Sequence, residues 1–129
     1  MKKGTVLLFP NYPFPNGIFK DKRIIIINKP EYDDDFIIIL TTSRQRNNPG
    51  QLGCHRSCYT LGAGQDDSFQ QKTWILFHTL QFISQKELCN WIKYKKAIIR
   101  NCIDASIINL IIDCIKKSPN VLPKFKQYL

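Results

Sequence analysis

Arg23 stands directly before four consecutive isoleucines in FKDKRIIIIN, residues 19–28, and a second apolar run, FIIIL, ends in Thr41, Thr42 and Ser43, with Arg44 and Arg46 just beyond. A guanidinium held beside hydroxyls suits a phosphate group. Its planar donors reach two oxygens while a hydroxyl reaches a third. If the two runs are neighbouring antiparallel strands, the start of one lies beside the end of the other. Arg23 then shares a sheet edge with the Thr-Thr-Ser step. The same residue types also occur with no function, because arginines flank strands and threonines end them.

Other constellations offer weaker chemistry. Cys54-His55-Arg56-Ser57-Cys58 supplies two thiolates and an imidazole, but a structural zinc usually takes four ligands in a more regular pairing. Cysteine and histidine are both present for a thiol protease, yet nothing local marks a nucleophile. The run GAGQDD lacks the lysine and Ser/Thr of a P-loop and the spacing of a dinucleotide loop, so it reads as a turn. Asp33, Asp34 and Asp35 could chelate a cation, but consecutive side chains on a turn diverge, which favours a solvated hairpin.

The elements that must position these residues follow from the hydrophobic pattern. TVLLF, residues 5–9, reads as a first strand, followed by a loop, NYPFPNG, that carries Tyr12 and Phe14. RIIIIN is a strand buried on both faces, since its β-branched run does not alternate. KPEYDDD is the turn of a hairpin to FIIILTT, residues 36–42. HRSCYTL, residues 55–61, and TWILFH, residues 73–78, add strands, and AIIRNCI, residues 97–103, a last one. Ser84 with Glu87 forms a capping box for a short helix presenting Leu88, Trp91 and Ile92. Asp104 caps a longer helix, ASIINLIIDCIKK, whose Ile108, Ile111, Ile112 and Ile115 share one face. Residues 118–129, broken by Pro119 and Pro123, read as irregular. The fold class is mainly β with helices, α+β: a small, strongly curved sheet or barrel with a terminal helix.

At 129 residues the chain suffices for one domain with a real core. Lys and Arg number 19 against 10 Asp and Glu, and a formal charge of +9 favours a polyanionic partner over a neutral small molecule. No apolar run approaches the roughly 20 residues of a membrane span. The lysines of MKKGTVLLFP imitate a signal peptide, but the apolar run stops at Pro10. The expected location is the cytoplasm. Five cysteines form an odd set without framework spacing, which fits reduced thiols, with Cys89, Cys102 and Cys114 as small core residues.

In its order of motifs the chain resembles the MazF/PemK toxins of bacterial toxin–antitoxin pairs. KGTVLLFPNYPFPNG is similar to the family's glycine-started strand and Pro/Phe-rich loop. FKDKRIIIIN is similar to its basic lead into the second strand, FIIILTTS to its threonine-ended strand, and TWILFHTLQFISQKEL to the segment before its helix. The likeness runs from about residue 3 to about residue 105. It implies one SH3-like β-barrel domain over residues 1–129 with a C-terminal helix, a homodimer, and an acidic antitoxin partner. It also implies cofactor-free, metal-independent cleavage of single-stranded RNA. Position by position, Arg23 falls on the family's catalytic arginine and Thr42 on its catalytic threonine or serine, with Thr41 next in line. The chain departs from the family at Ile24, where a proline is usual, at His78-Thr79, and at Gln81.

Such cleavage uses the RNA's own 2′-hydroxyl against the adjacent phosphate. Arg23 would stabilise charge and Thr42 would hold an oxygen or orient the attack. His78 is the candidate base, as histidine titrates near neutrality, although strand alternation equally allows it a place in the core. Tyr12 and Phe14 would stack on bases or anchor the loop. Lys20, Thr41 and Ser43, at the same edge, would contact the RNA, and Arg44, Arg46 and Arg56 would hold its backbone. Two further readings stay open: a non-catalytic binder of nucleic acid or protein on the same fold, and a gyrase poison like CcdB. The latter would need a Trp-Gly-Ile ending, and this chain ends in Lys-Gln-Tyr-Leu.

Overall fold

The computed structural model describes residues 1–129. The two isoleucine runs lie side by side at the middle of one mixed α+β structure. Its eight-stranded antiparallel sheet comprises β1 (Thr5–Pro13), β2 (Phe19–Ile26), β3 (Phe36–Thr42), β4 (Gly53–Cys54), β5 (Cys58–Leu61), β6 (Thr73–Leu76), β7 (Gln81–Ile83) and β8 (Ile98–Cys102). Strand order is β4-β5-β6-β3-β2-β1-β8, and β7 also pairs with β3. The sheet is open, with β4 and β8 as its end strands. Ile24, Ile25 and Ile26 stand opposite Leu40, Ile39 and Ile38 in the central hairpin.

Burial on both faces explains the unbroken β-branched runs. Ile25, Ile27, Ile37 and Ile39 point into a core shared with α2 (Ala105–Lys117), where Ile108, Ile111, Ile112 and Ile115 are buried. Ile24, Ile26, Ile38 and Leu40 point the other way, into a smaller core with Leu7, Phe9 and Leu88 of α1 (Gln85–Lys93). Full burial of each such side chain contributes about 1.5–3 kcal/mol. Both helices begin where the sequence places them. Ser84 Oγ accepts from the Glu87 N–H at 3.1 Å, and Asp104 Oδ1 accepts from the Ser106 N–H at 2.9 Å.

The structure revises several sequence-based expectations. β1 runs on to Pro13 and β2 begins at Phe19, so the first loop is shorter and FKDK is strand rather than approach. The extension is possible because Asn11, at φ 56, forms a bulge between Phe9 and Tyr12, and asparagine tolerates that left-handed conformation. The strand expected over residues 73–78 ends at Leu76, and β7 appears in a stretch assigned to no element. Residues 118–129 are not irregular throughout. Pro123–Lys126 forms the short helix α3, because Val121 and Phe125 are buried against the larger core and Phe125 stacks on Phe82 at 4.8 Å.

The expectation of reduced thiols is also corrected. Cys54 and Cys114, 60 residues apart, form a disulfide that ties the end of β4 to α2. The pair was hidden because bonding partners so distant meet only in the folded chain, and the three thiols left over made the set odd. Cys89 and Cys102 are exposed rather than core residues; Cys58 alone of the free thiols is buried. No helix is long and apolar enough to cross a membrane.

Candidate functional site

Where β3 leaves β2 beyond the Ile24–Leu40 pair and turns to β6, a groove of about 650 Å³ opens. Its walls carry Lys20, Lys22 and Arg23 of β2; Thr41, Thr42 and Ser43 at the end of β3; and Arg44 and Arg46 beyond. Phe14, Asn16 and Ile18 close one side, and His78 and Thr79 the other. Five cationic side chains face this one space, and Asp21 is the one carboxylate among its lining residues. That carboxylate accepts the Asn11 N–H at 3.2 Å. A concave surface so charged focuses a positive potential on any bound anion.

Hydrogen bonds divide the roles within the Thr-Thr step. The β2–β3 ladder ends at Ile24–Leu40, so Lys22 and Arg23 on one strand and Thr41 and Thr42 on the other border the gap beyond it. Both pairs reach the groove because it opens at the end of the ladder. Thr41 is 5% exposed, and its hydroxyl donates to the Arg23 carbonyl at 3.1 Å. Its proton is thus committed to holding the backbone. Thr42 is half-buried, and its hydroxyl oxygen accepts from the Arg44 N–H at 3.2 Å, which leaves its own O–H to donate into the groove. Of the two candidates, Thr42 has the free proton.

His78 is exposed to the groove, not part of the core. It sits in a 3₁₀ turn, Phe77–Thr79, that follows β6. The turn is anchored by Thr79, whose hydroxyl donates to Leu76 O at 2.6 Å and accepts from the Leu40 N–H at 2.9 Å. That contact fills the break on β3 between its β7 pairing, which ends at Ile38, and its β6 pairing, which begins at Thr41. Phe77 anchors the turn from within: it is buried, and its N–H bonds Ser57 O at 3.0 Å.

Lys22 is the residue that reading by sequence missed. Its Nζ donates to Thr41 O at 3.0 Å and lies 5.4 Å from the centre of the Phe14 ring. Burial, and then the nearby charges of Lys20, Arg44 and Arg46, hold its pKa below the ordinary lysine value. The signal was present in the alternation of FKDKRI. Read as strand, that run sets Lys20 and Lys22 on the same face as Ile24.

Other expected residues are placed differently. Phe14 lines the groove, but Tyr12 stands behind it, 5.3 Å from Phe14 and 5.2 Å from Phe9 between ring centres. Tyr12 thus anchors the loop, and its hydroxyl accepts from Gln81 Nε2 at 3.5 Å. Arg56 lies in the β4–β5 turn, outside the groove lining, with its carbonyl bonded to the Ser118 hydroxyl. The Cys54-His55-Cys58 group does not assemble as a ligand set: Cys54 is bonded to Cys114, and His55 Nε2 is 2.7 Å from Gln51 O. Burial pushes the Cys58 thiol up, away from thiolate chemistry. Asp33–Asp35 border a shallow hollow beside Phe82 and Tyr128. No group of three or more His, Cys, Asp or Glu is placed to hold a metal ion.

No protein-family model matches the chain, and neither a curated protein nor a solved structure matches it.

Proposed function

We propose that the chain is a metal-independent endoribonuclease of the MazF/PemK toxin kind, cutting single-stranded RNA by attack of the 2′-hydroxyl on the adjacent phosphate. The observation that carries the reading is the gathering of Arg23, Thr42 and His78 around one cationic groove at the end of the central hairpin. Each has a role suited to its type. The Arg23 guanidinium neutralises charge that builds on the phosphate oxygens. The free Thr42 O–H donates to one of those oxygens. His78 takes the proton of the 2′-hydroxyl. Arg44 and Arg46 hold the flanking phosphates, and Phe14 offers a ring to an unpaired base. The products are a cyclic phosphate and a free 5′-hydroxyl.

The same reading carries an SH3-like barrel as the description of the curved sheet, a homodimer, and an acidic antitoxin that fills the cationic groove until the toxin is released. It places the protein with its RNA in the cytoplasm, where the Cys54–Cys114 bond would meet a reducing thiol pool.

The test is incubation of the pure protein with single-stranded RNA in EDTA, beside Arg23→Ala and Thr42→Ala. Cleavage by the parent and its loss in both variants, with urea midpoints unchanged, is the expected result. Cleavage by Arg23→Ala at the parent rate removes the centre of the proposal. Binding of RNA by the parent without cleavage would instead establish a non-catalytic binder.

A further inference from the structure

We infer that Lys22 is the proton donor to the departing 5′-oxygen of the RNA, an assignment that rests on the ribonuclease reading above. Cleavage needs two proton transfers, and the roles given to Arg23, Thr42 and His78 supply only one of them. A guanidinium stabilises charge but keeps its protons at any pH the protein meets, and an aliphatic hydroxyl is too weak an acid to protonate a leaving group efficiently. Among the remaining groove residues the choice falls between Lys20, Lys22 and Asp21. Asp21 is an exposed carboxylate held on the Asn11 amide, and Lys20 is exposed. Lys22 is half-buried and fixed at two points, the Thr41 carbonyl at 3.0 Å and the Phe14 ring at 5.4 Å.

Position supports the choice. Lys22 and Thr42 line the same groove, and Lys22 Nζ bonds the carbonyl of Thr41, the residue directly before the hydroxyl proposed to hold the phosphate. Its ammonium has three protons, of which the Thr41 carbonyl occupies one. The charged or titratable groups that border the space around it are Lys20, Asp21 and Arg23 of β2, Arg44 and Arg46 after β3, and His78 of the 3₁₀ turn. The cations outnumber the single carboxylate, and together with burial they make the ammonium a readier donor than a free lysine.

The step balances. The 2′-oxygen forms a bond to phosphorus as its proton passes to the His78 imidazole. The bond from phosphorus to the 5′-oxygen breaks, its electron pair goes to that oxygen, and the oxygen takes a proton from Lys22 Nζ. The amine left behind and the imidazolium then exchange with solvent, and no oxidant, reductant or metal enters.

The test uses the full chain with an RNA whose cut position has first been mapped with the parent protein. That linkage is then made again with sulfur replacing the bridging 5′-oxygen, since a thiolate leaves without a proton. Lys22→Arg and Lys22→Met are expected to lose about 10²–10⁴-fold on the oxygen linkage, as for removal of a general acid. On the sulfur linkage they are expected to come back to within about tenfold of the parent. The parent's rate on the oxygen linkage should fall as pH rises through a value below the ordinary lysine pKa, and this limb should vanish on the sulfur linkage. Lys22→Arg cleaving the oxygen linkage within tenfold of the parent overturns the inference, as does an equal loss on both linkages. A parent that cuts no RNA in the mapping step overturns the ribonuclease reading, and Lys22's role with it. If neither variant folds, a parent profile without the alkaline limb is the overturning result.

Discussion

The hydroxyl of Thr41 donates to the backbone carbonyl of Arg23 at 3.1 Å, so the residue that fixes the arginine is not the one free to touch its ligand. The neighbouring Thr42 has that freedom. Valine at each position separates the two roles. Thr41→Val should cost about 1 kcal/mol of stability, the usual net worth of one such hydrogen bond. Thr42→Val should stay within about 0.5 kcal/mol of the parent yet lose most RNA cleavage. Urea unfolding and a cleavage assay on both proteins check this, and equal stability losses would refute the division of labour.

Lys22 makes stability depend on pH in a direction that can be worked out. Its pKa is lowered on folding, mainly by burial and then by Lys20, Arg44 and Arg46. Below the lowered value both folded and unfolded chains carry the proton, and the cost of holding a charged amine in the groove is fully present. As pH rises through that value the folded chain releases its proton first, the unfolded chain binds more, and stability climbs until the ordinary lysine pKa is reached. The climb should appear as a rising urea midpoint on the alkaline side and should be missing from Lys22→Met.

Arg46 is held at φ 42, a left-handed conformation that costs a residue with a Cβ roughly 1–2 kcal/mol. Glycine relieves that strain at a smaller entropic cost. Arg46→Gly should therefore exceed Arg46→Ala in stability by about 0.5–1 kcal/mol, although both remove the same charge. Both should bind RNA more weakly than the parent. Equal stability of the two variants would mean that the loop relaxes around position 46.

Salt dependence reads out the groove's charges individually. Each cation that neutralises one phosphate of single-stranded RNA adds about 0.7 to the steepness of log affinity against log salt. Arg44→Ala should flatten the slope by about that amount. Arg56→Ala, in a turn that does not line the groove, should leave it unchanged. Titrations at three or four salt concentrations suffice, and a flattened slope for Arg56→Ala would show RNA extending past the groove.

The Cys54–Cys114 bond closes a loop over 60 positions of sequence, and loops of that length gain much from closure in the chain-entropy account. Reduction, or Cys54→Ser with Cys114→Ser, should lower stability by about 2–4 kcal/mol. Denaturant midpoints with and without reductant measure it. Residual groove function should survive, since neither cysteine lines the groove.

Much of the fold was legible because short-range physics sets it. The two Ile runs could bury themselves only as a central hairpin. Ser84 and Asp104 could satisfy helix amides only at the places where both helices begin. Arg23, Thr42 and the arginines after β3 were legible as neighbours, because a hairpin of known strand ends fixes which termini meet. What stayed hidden depended on contacts between distant segments. Which hydroxyl is committed and which is free follows from the partner each meets, the Arg23 carbonyl for Thr41 and the Arg44 N–H for Thr42. The exposure of His78 follows from a 3₁₀ turn pinned by Thr79 to Leu40. The burial of Lys22 needs the Phe14 loop folded over it, the disulfide needs α2 laid against the end of β4, and α3 needs a pocket for Phe125. Sequence alone determined which residue types were present and how each backbone segment would run, since propensity and capping act within a few residues. The tertiary structure decided which side chains are desolvated, paired or free, because those depend on neighbours brought together only by packing.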